Sequence, residues 1–388
     1  MWSNKKYIDI ILNVLLFLVS IHFLHYGQIL LPIMCLIIFI DNGFNFRVND
    51  LKTFIILSLF GLSFLAFSYK NSLYSVMGLF CPMAYYIGSN FKEKSISNIK
   101  KIIYIITFGM GAHVLLNAIG DYIRLGSAFF TSYSHHDIWT QESVSTTATA
   151  VNYTMIIGTI FYILFYEKNK TYKAIGVSLF VLLMAYNFIL GRRTPVLMLG
   201  ISFGIFIIGD YLVFKNKNIS SKVFKTMLLV LLGLFVLVVL AFGFDLFGLK
   251  GTVTHIRLID KFLWQGLDAK RIQLFIDAIK LAPYHLWGNQ EISSILEIQV
   301  HDLWMDTFDF AGIITVLILL AYTVIVIRNF FKVTEEESID SRFRLLIFNL
   351  FSCILMQMLL EPVMSGSPIF LMTTIIIATT LERIEINE

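Results

Sequence analysis

Apolar runs close to the ~20 residues that cross a bilayer follow one another along this chain, separated by short charged gaps. That pattern excludes a soluble globule. Apolar residues make up 57% of the 388, charged residues 14%, and mean hydropathy is +0.77, which leaves too little polar surface to keep such a chain in water. The runs fall at 7–24, 28–40, 53–68, 72–89, 102–120, 151–165, 174–190, 194–214, 226–242, 310–327, 345–361 and 369–381. The expectation is an all-α, polytopic membrane protein of about twelve spans. No internal repeat and no hydrophilic linker interrupts it, so 1–388 reads as a single integral membrane domain. The two basic residues before the first run are followed by no small-residue cleavage site, so that run reads as an uncleaved first span.

Lys and Arg give the orientation. With the N-terminus in the cytoplasm, alternate loops hold twenty of the thirty basic residues, from Lys5 and Lys6 through Lys168 and Lys215 to Arg342 and Arg383. The other side keeps ten, spread over far more loop. Both termini are therefore expected in the cytoplasm, with the chain in the cytoplasmic membrane.

The longest polar stretch, 244–308, then becomes a large external loop. Within it, 268–282 reads as an amphipathic helix with Ile272, Phe275, Ile279 and Ala282 on one face, ended by Pro283 and a turn at Trp287-Gly288-Asn289. Arg257, Arg271, His285 and His301 belong to this loop, and ionisable residues at a membrane surface are functional candidates.

A second external feature is the short turn Leu190-Gly191-Arg192-Arg193-Thr194-Pro195. Thr194 and Pro195 are expected as cap and first-turn residue of the next helix. Two guanidinium groups beside a helix N-terminus suit a phosphate or pyrophosphate, and they suit an anionic lipid headgroup equally well.

His301 precedes a cluster of Asp302, Asp306 and Asp309 at the head of the tenth run. A helix start there keeps the imidazole neutral and able to take a proton from a hydroxyl. The carboxylates orient that histidine or simply cap the helix. Glu361, ahead of Pro362, contacts sugar hydroxyls or ends its span. His22, His25 and His113 read as packing or helix-end residues, although a buried histidine is also a functional candidate. His135-His136-Asp137 reads as a plain loop or as a metal or sugar contact, and adjacent histidines cannot readily both bind one ion. Trp139, Tyr133, Trp264 and Trp287 read as aromatic belt. The three cysteines, Cys35, Cys81 and Cys353, lie in or beside apolar runs, which does not suit a disulfide framework.

Taken in order, the Gly-Arg-Arg-Thr turn, the helix with Arg271, and the His-Asp-Leu-Trp segment resemble the O-antigen polymerase and O-antigen ligase family of bacterial membrane glycosyltransferases. The resemblance covers the topology and the stretch 190–320. Two departures stand out: Arg192 replaces a small polar residue, and Asp302 replaces an asparagine.

The resemblance implies a GT-C-like inverting enzyme acting at the external face without a cofactor. Its substrates would be undecaprenyl-pyrophosphate-linked oligosaccharides, with membrane lipids around it and a chain-length regulator and a flippase as partners, and no nucleic acid. Arg193 and Arg271 would carry catalysis with His301, the arginines stabilising the leaving pyrophosphate. Arg192, Arg257, Asp302, Asp306 and Glu361 would bind substrate.

Two other readings remain. A ligase, which moves finished glycan to a lipid or wall acceptor, shares the chemistry. A lipid-linked oligosaccharide flippase or other transporter shares the topology, but such proteins place basic residues in a central cavity and show similar halves, and this sequence shows neither.

Overall fold

The structure, a computed structural model, describes residues 2–68, 75–91, 95–130, 135–144, 146–214, 269–298, 302–382 and 384. Among these the architecture is all-helical, with one isolated bridge between His136 and Ser143. The helices are α1 (Trp2–Ser20), α2 (Leu30–Asp41), α3 (Leu51–Phe67), α4 (Phe80–Ser89), α5 (Ile96–Leu125) and α6 (Thr146–Phe165). They continue with α7 (Lys170–Leu190), α8 (Arg193–Ile208), α9 (Ala269–Leu281), α10 (Glu291–Leu296), α11 (Leu303–Glu335), α12 (Ser341–Leu360) and α13 (Pro368–Leu381).

Several helices start where a short polar side chain takes up free N–H groups. Asp50 accepts from Lys52 and Thr53, Ser95 from Asn98, Asn169 from Thr171 and Tyr172, and Asp340 from Arg342. Asp302 caps α11 by accepting from the N–H of Met305 at 2.7 Å.

The helices least exposed in the bundle are α6 and α13. Every residue of α13 from Ile369 to Leu381 is buried, and three of its four threonines turn their hydroxyls back onto carbonyls of the preceding turn, Thr373 to Ile369, Thr379 to Ile375 and Thr380 to Ile377. A helix apolar all round belongs inside the protein. By contrast α7 leaves Ile175, Val181 and Leu182 exposed, as a helix facing lipid does.

Of the twelve expected spans, five are long and apolar enough to cross a membrane among the described residues: α5, α7, α8 extended to Tyr211, α11 and α12. Five more, within α1, α2, α3, α6 and α13, are shorter apolar helices. The expected span 72–89 is different. Its described part is a 3-10 turn, Met77–Leu79, running into the ten-residue α4, and ten helical residues rise only about 15 Å. The expected span 226–242 lies outside the described residues.

The tenth run also departs from expectation. It extends in both directions to fill α11 and is broken at Gly312, whose φ of 75° and ψ of −177° are not helical. The turn after α9 plugs that break. Asn289 and Gln290 donate their N–H groups to the carbonyls of Phe310 and Asp309, and Ile313 donates to Leu286. Non-helical backbone at membrane depth is tolerated only where protein satisfies it in this way.

The amphipathic helix expected at 268–282 is α9. It touches the protein through a narrow strip: Ala278 is buried against Ile292, Phe308 and Val316. Phe275 and Ile279, expected on the apolar face, are exposed together with Ile276. A small residue allows close approach on one side, and the larger apolar side chains are left for a lipid boundary.

Candidate functional site

Hydrogen bonds sort the helix ends into two groups. At one end Asn49 reaches Ser89 and Thr379, Tyr85 reaches Glu382, and Tyr104 reaches Glu167. At the other end lies a cavity of about 320 Å³, bordered by the ends of α1 and α13, the C-terminal half of α5, the start of α6 and the connection before α4. Four ionisable side chains face it: His22, His25, His113 and Asp137.

Helix α1 stops at Ser20, and the backbone then takes the left-handed conformation at His22, Leu24 and His25, with φ of 53°, 53° and 65°. Side chains other than Gly enter that region at a cost of roughly 1–2 kcal/mol each, and such strain concentrates at functional sites. Gly27 lets the chain fold back over α1, since a Cβ there would lie 2.8 Å from the Val19 carbonyl. The result brings the rings of His22 and His25 together, tilted by 50° with centres 4.8 Å apart.

Asp137 divides its two oxygens. Oδ1 accepts from the N–H groups of Trp139 and Thr140, at 2.8 and 3.1 Å, and so fixes the loop. Oδ2 lies 3.1 Å from Nε2 of His113 and 3.7 Å from Nδ1 of His25. Asn117, one turn beyond His113 on α5, accepts from the N–H of Ile138 and holds the same loop down.

A second buried carboxylate, Asp121, anchors the neighbouring residues. It accepts from Arg124 at 2.8 Å and from the N–H of His136 at 3.1 Å, and it faces the rings of His135 and His136. The loop thus rests on α5 at Asn117 and Asp121, one turn apart.

These environments pull the charges apart. Burial, then the nearness of His113 and His25, lowers the His22 pKa to about 3. The Asp137 carboxylate beside His25 raises that histidine's pKa against the opposing effect of burial. For Asp137 burial acts to raise the pKa, but His113, His25 and the two loop N–H groups outweigh it and hold the group well below the carboxylate range.

The rest of the lining is mixed. Gln28, Asn117, Asn152 and Ser367 offer amides and hydroxyls, while Ile29, Met77, Phe80 and Ile369 form an apolar wall. Few polar groups set in an apolar wall are typical of small-molecule sites.

The sequence-expected residues are placed as follows. His301 and Arg257 lie outside the described residues, as do Tyr133 and Trp264. Arg271 is in the first turn of α9, with its side chain outside the described residues. Arg192 is the residue before α8 and Arg193 its first residue, so Thr194 is not the cap. Instead Thr194 donates its hydroxyl to Glu361 at 3.0 Å. Glu361 is buried and leads into the turn Val363–Gly366, whose residues Ser365 and Gly366 line the cavity.

Asp306 accepts from the N–H of Ser365 at 2.9 Å, tying α11 to that turn. Asp309 accepts from Ile292 and Ser293 and holds α10. The arginine turn therefore sits at the cavity end, linked through Thr194 and Glu361 to a segment that lines it.

Sequence reasoning passed over the residues that gather here. The sequence offers His22, His25 and His113 as packing or helix-end residues and 135–137 as a loop; the structure keeps 135–137 a loop and brings Asp137 together with the three histidines at the cavity, across residues far apart in the chain. A partial signal existed: seven of the eight histidines fall in loops or at span ends that the charge pattern assigns to one side, while His113 lies inside the fifth run.

An all-helical bundle with long apolar helices and an end cavity defines this as an integral membrane protein with a polar site at one end. No protein-family model matches the chain, and comparison with curated proteins gives no significant match.

Proposed function

We propose that the protein is an inverting membrane glycosyltransferase of the O-antigen polymerase type. It joins lipid-linked oligosaccharide repeat units at the external face of the cytoplasmic membrane during capsule, O-antigen or exopolysaccharide synthesis. The observation that carries this reading is the end cavity, with its amide and hydroxyl lining, its imidazole groups around Asp137, and the Arg192–Arg193 turn tied to it through Glu361. Amides and hydroxyls suit sugar hydroxyls, and paired guanidinium groups suit a pyrophosphate.

In the reaction, the acceptor hydroxyl oxygen attacks the anomeric carbon of the donor. The bond from that carbon to the pyrophosphate oxygen breaks, and polyprenyl pyrophosphate leaves with the electron pair. Arg193, with Arg192 and Arg271, stabilises the charge on the leaving group. The hydroxyl proton passes to an imidazole. His301 is the base the resemblance implies, and His25, beside Asp137 at the cavity, is the one the described geometry offers. What supports external placement is the concentration of basic residues at the opposite end of the bundle.

The test is a purified-protein assay with synthetic polyprenyl-pyrophosphate repeat units and products separated by size. Wild type is expected to give a ladder of lipid-linked chains, reduced at least ~100-fold by Arg193→Ala. His25→Ala and His301→Ala, run side by side, identify the base. A wild-type protein that transfers glycan once to a non-repeat acceptor, with no ladder, is a ligase. A folded protein that transfers nothing to either acceptor overturns the reading.

A further inference from the structure

The geometry points to a divalent-cation site formed by His22, His113 and Asp137 at the floor of the end cavity. The inference rests on the cavity and not on the reaction assigned to it.

Three ligand atoms, one from each residue, lie within 4.8 Å of one another. They come from three separate places: the left-handed turn after α1, the C-terminal half of α5, and the loop before α6. Two imidazole nitrogens and one carboxylate oxygen form a donor set for first-row divalent ions, zinc foremost. In a tetrahedral zinc site, bonds of about 2.0–2.1 Å place ligand atoms roughly 3.3 Å apart. His113 Nε2 and Asp137 Oδ2, at 3.1 Å, already have that spacing. The His22 ring lies edge-on to that of His113, with centres 5.5 Å apart.

The surroundings match those of a built site. Metal-binding carboxylates are held by outer hydrogen bonds, and Asp137 Oδ1 is held by the N–H groups of Trp139 and Thr140. His22 reaches the cluster from a backbone conformation that carries strain, with φ of 53°. A packing histidine has no need of that strain, whereas a ligand that must point at a fixed spot does. Three protein ligands leave coordination positions open to the cavity. A phosphate oxygen or a sugar hydroxyl is the class of ligand that would fill them.

The experiment uses the full chain in detergent, stripped with chelator and titrated with Co²⁺. Visible absorption and metal analysis are read together, and Zn²⁺ is then added as competitor. About one cobalt per chain is expected, displaced by zinc, with a rise in thermal midpoint on zinc addition. His22→Ala and Asp137→Asn should lose the saturable signal and the thermal shift. His285→Ala, which removes a histidine paired with Glu291 elsewhere, should keep both. His22→Gln, a milder change, guards against misfolding and should also lose the signal.

A wild-type protein with no saturable cobalt signal overturns the site, as do folded variants that bind like wild type. Binding by a protein that makes no polymer leaves the site standing and removes the glycosyltransferase reading. Polymer synthesis without cobalt binding does the reverse.

Discussion

Gly288 and Gly312 meet backbone to backbone: a Cβ on Gly288 would lie 2.6 Å from the amide nitrogen of Gly312. Both have positive φ, 80° and 75°. Their contact lets the turn after α9 enter the break in α11, so a turn from outside the helix completes the hydrogen bonding of a broken helix. It also fixes the helix start that carries Asp302, Asp306 and Asp309.

Gly312→Ala is therefore expected to be strongly destabilising. Its Cβ would fall 2.5 Å from the Leu286 carbonyl, and the left-handed region alone costs an alanine of order 1–3 kcal/mol. Thermal unfolding in detergent should show a clear drop in midpoint, with faster protease cleavage between 282 and 298. A melting curve that overlays wild type would refute the stitching.

Asp309→Ala should loosen α10 while leaving the bundle folded. It removes the acceptor for the N–H groups of Ile292 and Ser293 and for the Ser293 hydroxyl. Bonds to a charged group contribute about 1.5–3 kcal/mol each, net of exchange with water. Hydrogen exchange should rise in 291–296 and stay unchanged in α6. Equal protection in both proteins would contradict the assignment.

Asn349 joins three helices inside the bundle. Its amide donates to the Gly158 carbonyl and to the Ser202 hydroxyl, both at 2.9 Å. Asn349→Ala should cost about 1–3 kcal/mol by removing those buried hydrogen bonds, although the Ser202 hydroxyl keeps its bond to the Ile157 carbonyl. The paired change with Ser202→Ala should cost less than the two singles summed. Strict additivity would show that the two residues are not coupled.

Asp50 caps α3, and its pKa is lowered, chiefly by the hydroxyl of Thr53. A depressed carboxylate pKa adds stability that is present above the ordinary value of about 3.9 and fades as pH falls through the lowered one. Asp50→Ala should lose about 1 kcal/mol at neutral pH, with the gap to wild type closing in acid. A gap that persists unchanged at the lowest pH would sink the capping account.

Composition and apolar run length by themselves determined an all-helical membrane chain, because hydrocarbon leaves the backbone few ways to satisfy its N–H and C=O groups. They also located most helices, the turn at Gly191–Arg193 and the helix ended by Pro283, since those depend on neighbours along the chain. Which helices cross as long spans, and where one of them breaks, depended on contacts between residues far apart.

The site followed the same division. The arginine turn was legible because two adjacent charges show in any local window, and the acidic cluster at 302–309 was legible for the same reason. The convergence of His22, His25, His113 and Asp137 was not. Each is unremarkable among its own neighbours, and only the packing of α1 against α5, with the loop clamped by Asn117 and Asp121, brings them within a few ångströms.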